Sequence, residues 1–197
     1  MLDNTENSAR RAFVKKSVMG TLAAGAAMPM LATLIQSFGN EAAAAPATGS
    51  PMAATEKQFR MGVIGPAELS LVASQIAVGK AMQANAKEFA GFELGEAKAV
   101  TSVLKDLGTP VPPMSAKAKA TLAKIKAAAE GADFDKAYIT AQLENHEFLR
   151  DLAMNYLNAS KGKTTPAEMH GRHLATLSHA VFVEHVAITK RILSELR

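Results

Sequence analysis

The chain has 197 residues, a formal net charge of +4, no cysteine and no tryptophan. Without cysteine there can be no disulfide, no thiol nucleophile and no lipid-modified N-terminal cysteine. The positive excess is small and the lysines are scattered, which argues against nucleic acid as a partner.

The chain opens with a segment that reads as an export signal over residues 1–44. Arg10, Arg11, Lys15 and Lys16 precede an apolar run from Ser17 to Ile35. Ala42, Ala43 and Ala44 follow as small residues suited to a signal peptidase. The order Ser8-Ala9-Arg10-Arg11-Ala12-Phe13-Val14-Lys15 is similar to a twin-arginine export signal, a route that carries folded proteins. The expected location is therefore the periplasm or cell envelope. Residues 45–64 read as a flexible linker, beginning with the small-residue stretch Ala45 to Thr55.

From residue 65 to 197 the pattern is helical, and no segment alternates with period two long enough to make a strand. Pro66 suits a first helical turn, so helix one is expected from about Pro66 to Ala84. Helix two is expected from Ala86 to Leu107, where Gly108 and the prolines at 110, 112 and 113 stop it. Ser115 caps a short extra helix ending near Gly131. Asp133 is expected to cap helix three, and Thr165 with Pro166 to begin helix four. The fold class is thus all-α: four amphipathic helices burying their apolar stripes together, with a short helix between the second and third.

The stripes contain ionisable residues. Glu96 interrupts a helix-two stripe of Phe89, Phe92, Val100, Val103 and Leu107. His185 interrupts a helix-four stripe of Leu174, Val181, Ile188 and Ile192. His146 lies within the apolar arc of helix three, and Glu68 shares a face with Leu71, Val72, Gln75 and Met82. Glu68, Glu96, His146 and His185 thus offer one inward group per helix. Burying a lone carboxylate is costly, so these groups need partners. Two arrangements meet that need. One is a single transition-metal site of two carboxylates and two imidazoles. The other is a hydrogen-bonded polar layer that fixes helix register. A di-iron bundle would carry Glu-x-x-His on two helices; here Leu143 and Phe182 stand where those glutamates belong. No phosphate loop, Gly-x-Ser-x-Gly elbow or cysteine nucleophile is present, which favours a non-enzymatic binding or stress-related role; the alternative is a metal-binding protein or weak oxidoreductase using the four inward groups. Lys117, Lys119, Lys124 and Lys126 make the short helix basic, a face suited to solvent or to an anionic envelope surface. His170 and His173 stand three apart on helix four as a weaker metal-ligating pair.

The stretch "GADFDKAYITAQLENHE" resembles the third-helix signature of a family of uncharacterised bacterial exported proteins, often labelled outer-membrane proteins. The matching residues are Phe134, Asp135, Tyr138, Gln142 and His146. "GPAEL", carrying Glu68, and "EHVAI", carrying Glu184 and His185, are similar to its first and fourth helices. The resemblance implies a ferritin-like helical bundle of unknown activity. It also implies Asp-His in helix two, where this chain has Glu96 and Ala97.

Overall fold

The computed structural model describes residues 51–196. The expected signal, with Arg10 and Arg11, lies outside the described residues. Within them the chain forms five helices and no strand: α1 (Glu56–Lys80), α2 (Ala84–Asp106), α3 (Ala116–Ala127), α4 (Ala132–Ala159) and α5 (Pro166–Glu195). α3 is the short helix between the second and third long ones.

Local chemistry sets most of the boundaries. Ser115 Oγ accepts from Ala118 N to start α3, and Thr165 Oγ1 accepts from Glu168 N to start α5 with Pro166 in its first turn. Gly108 follows α2 at φ 73°, a left-handed conformation that suits glycine. α4 differs from expectation: Gly131, at φ 94°, occupies its N-cap, and Asp133 stands in the first turn. The larger correction is α1. It begins at Glu56, so part of the 45–64 linker is helical and the bundle starts before residue 65. Thr55 and Gln58 form a reciprocal capping box, satisfying two orphan backbone donors at once. Phe59, Val63 and Ile64 then continue the buried face through Pro66, which sits in the helix interior. α1 is also long and apolar enough to cross a membrane, but this face is turned into the bundle.

The apolar core has two parts. Phe59, Val63, Ile64, Leu104, Leu149, Leu152, Tyr156 and Phe182 form one cluster. Phe89, Ile125, Phe134, Tyr138, Ile139 and Ile192 form the other. Between them the four long helices contribute a buried polar layer. Ser70 and Ser74 come from α1, Glu93 from α2, Gln142 and His146 from α4, and His185 and Thr189 from α5. Such a layer needs internal hydrogen bonding to offset lost hydration.

α2 shows how that layer was formed. Its buried ridge is Ala86, Phe89, Ala90, Glu93, Ala97, Thr101 and Leu104. Three large residues of the expected stripe face outward instead: Phe92, Val103 and Leu107 are 60%, 43% and 51% exposed. Close packing at this position is made by alanines, so the helix is rotated from the phase that large side chains suggest. Phe148 of α4 is likewise exposed.

Candidate metal centre

The rotation of α2 brings Glu93 inward. Phe89, Glu93 and Ala97 stand four residues apart on one face, and Glu93 is 4% exposed. Its Oε2 lies 3.2 Å from His146 Nε2 and 3.0 Å from His185 Nδ1. The two imidazole nitrogens are 3.1 Å apart. Three donor atoms from three helices thus form a nearly equilateral triangle. His146 and His185 are 2% and 4% exposed. Phe89 stands edge-on to the His185 ring at 5.1 Å, and Phe182 packs against His146 at 5.9 Å, so both apolar clusters press on the site.

The outer nitrogen of His146 fixes its tautomer. His146 Nδ1 lies 2.8 Å from the Gln142 carbonyl, which only accepts, so Nδ1 carries the hydrogen. His185 Nε2 lies 2.9 Å from Glu96 Oε2 as an ion pair without hydrogen-bond alignment, whereas its Nδ1 is aligned on His146 Nε2 at 3.1 Å and donates to it. His146 therefore turns its Nε2 lone pair toward His185 and toward the Glu93 carboxylate. Acceptors that converge in this way need something positive among them. In the metal-free protein that is a proton. Burial opposes charge on His185, but contacts with Glu93 and Glu96 outweigh it and raise its pKa to about 9. Burial likewise pushes the Glu93 carboxyl up, and its contacts with His146 and His185 overcome this, holding it at about 2. A carboxylate and an imidazolium thus coexist in the core as a mutually stabilised pair.

The same atoms suit a metal ion. Donors bound at about 2.1 Å stand roughly 3.0 Å apart at right angles and roughly 3.4 Å apart in a tetrahedron. The observed edges of 3.0, 3.1 and 3.2 Å fall in that range. Glu93, His146 and His185 are the cluster of ligating groups among the described residues that meets this spacing. The outer contacts, a carbonyl on one histidine and a carboxylate on the other, are those that orient metal-bound imidazoles. Glu96 Oε2 is buried and has no aligned hydrogen-bond donor. It meets His185 as an ion pair, while its side chain as a whole is 45% exposed.

The residues singled out from the sequence are thus sorted by the structure. His146 and His185 contribute to the triangle, and Glu96 sits against the outer nitrogen of His185. Glu68 does not join them: its Oε1 pairs with Lys105 Nζ at 2.7 Å, and it lines a separate groove with Pro112, Met114 and Phe148. His170 and His173 have exposed rings 6.5 Å apart, with no third ligating group beside them among the described residues. Glu93 was not anticipated; its four-residue spacing from Phe89 and Ala97 was the available signal.

A family model described as Domain of unknown function (DUF4142) matches residues 41–180. The chain belongs to the DUF4142 family. No curated protein and no solved structure shows significant similarity to it. The matched span includes Glu93 and His146, with His185 just beyond it.

Within this DUF4142 domain the α4 motif has a structural explanation. Asp135 is buried and accepts from the backbone N–H of Gln83 at 2.7 Å and of Met82 at 3.1 Å, pinning the α1–α2 link. Tyr138 Oη meets Ser74 Oγ at 2.8 Å. Burial raises the Tyr138 phenol, which therefore stays neutral. Gln142 accepts from Ser70 Oγ at 2.9 Å and donates to Ser74 Oγ at 3.2 Å, and its carbonyl holds His146. One face of α4 thus zips to α1 by polar contacts and ends at the triangle. Phe134 anchors the other end in the second apolar cluster.

Proposed function

We propose that this DUF4142 protein is an exported, ferritin-like helical bundle of the periplasm or envelope that binds one divalent transition-metal ion. Glu93, His146 and His185 are its ligands, and Glu96 orients His185. The observation that carries this reading is the convergence of two imidazole nitrogens and a carboxylate oxygen within 3.2 Å, with the Gln142 carbonyl bonded behind one ring and the Glu96 carboxylate paired behind the other. Two histidines and one carboxylate leave coordination positions open, the pattern used by iron(II) sites. Zinc accepts the same donors. The twin-arginine-like start supports export after folding, which suits a protein loaded with its metal beforehand. The role is binding, protective or weakly redox-active.

A second reading is favoured by the closed charge balance of the metal-free cluster. The Glu93–His185 pair satisfies itself, and the layer then serves to fix helix register. The two readings separate on elemental analysis of protein isolated from the periplasm. The metal reading expects about one equivalent of a transition metal, sharply reduced in His146→Ala. Absence of metal from a protein that also gains no stability on adding iron or zinc would leave only the register reading.

A further inference from the structure

The triangle borders a cavity of about 30 Å³. A cavity of roughly 10–15 Å³ by this measure holds one water, so the space accepts two heavy atoms and little more. Its walls beyond the ligands are mainly apolar: Val63 and Ala67 of α1, Val100 of α2, Leu149 of α4, and Val181 and Phe182 of α5. Such walls give water few hydrogen bonds and favour a small neutral molecule. Among the lining residues, Glu96, Val100 and Val181 are partly exposed, and the others are buried. All three lie on α2 and α5, so the cavity reaches solvent along the seam between these helices, past the Glu96 carboxylate.

We infer that this cavity is the substrate subsite of the metal centre and takes one neutral diatomic molecule of the dioxygen class at an open coordination position. The inference rests on the metal reading above. It assigns a substrate by size and polarity: the space of about 30 Å³ beside the ligands favours a very small molecule, and an anion would meet Glu93 and Glu96. The buried apolar wall supplies selectivity, while Glu96 marks the entrance.

The test loads the mature protein with iron(II) without oxygen and adds nitric oxide, a neutral diatomic that reports its own binding by electron spin resonance. The expected result is a half-integer-spin iron–nitrosyl signal that saturates with nitric oxide. Ala67→Val, which places two methyl groups in the cavity, should retain iron affinity yet weaken nitric oxide binding at least ~10-fold. Ala97→Val fills the same cavity from α2 and serves if the first variant folds poorly. Iron bound normally but no nitrosyl signal in the parent protein would overturn the subsite while leaving the metal reading intact. Undiminished nitric oxide binding in a folded, iron-loaded cavity-filling variant would also overturn it. Failure of the parent protein to bind iron would remove both.

Discussion

Glu93→Gln isolates the charge at the centre of the bundle with almost no change of shape. The carboxyl titrates at about 2 when folded against an ordinary 4.5. That difference corresponds to roughly 3 kcal/mol favouring the ionised form, close to the cost of breaking a buried ion pair. The sign follows from both partners. Glu93, lowered, contributes stability above about 4.5, and this is lost as pH falls toward 2. His185, raised, contributes below about 6.5, and this is lost as pH rises through 9. The pair therefore stabilises most between those limits. Urea denaturation of chelator-treated protein at about pH 5.5 should show the variant less stable by about 3 kcal/mol, with the gap shrinking in acid and in alkali. Loss of one of three ligands should also weaken zinc or iron binding by at least ~100-fold. A gap under about 0.5 kcal/mol at pH 5.5, or one independent of pH, would refute the assigned charges.

Glu96→Gln removes the carboxylate behind His185 and should weaken metal binding by about 10–100-fold in a competition titration, whereas Glu68→Gln should leave it unchanged. Gly171→Ala tests the closest helix contact away from the site. A Cβ there would stand 2.5 Å from Glu56 Cβ and 2.6 Å from Tyr156 Oη. The substitution should cost about 1–3 kcal/mol in thermal unfolding by displacing Tyr156 from Phe59 and Glu168. Replacing Arg10 and Arg11 by Lys should strand precursor in the cytoplasm, as seen by fractionation; unchanged export would exclude the twin-arginine route.

Where the chain turns was largely legible in the sequence, because the signals are local. Ser115, Thr165 with Pro166, and Gly108 act through their own backbone neighbourhoods. α1 began early because two local signals competed. Pro66 resembled a helix start, but the Thr55–Gln58 capping box and the apolar spacing from Phe59 extend the helix through it. The phase of α2 was hidden for a tertiary reason. Alanines 86, 90 and 97 allow close approach, while Phe92, Val103 and Leu107 stay outside, so side-chain size pointed to the wrong face. Glu93, and not Glu96, therefore stands at the centre of the site. Glu68 lay on a face of which Gln75 and Met82 are exposed and Leu71 and Val72 half-buried, and Lys105 neutralises it there. On α4 the spacing of the apolar arc marked His146, and Tyr138 and Gln142 joined it through the family resemblance; the structure places all three on one face.

The most direct test is a titration of chelator-stripped, full-length mature protein with zinc or iron(II), following bound metal and released protons together. Binding needs the His185 imidazole neutral, and below pH 9 that ring starts protonated. The account expects saturation at about one equivalent, release of about one proton per ion near neutral pH, and loss of both in His146→Ala and His185→Ala. Metal uptake that never saturates, or that persists unchanged in both histidine variants, would contradict it.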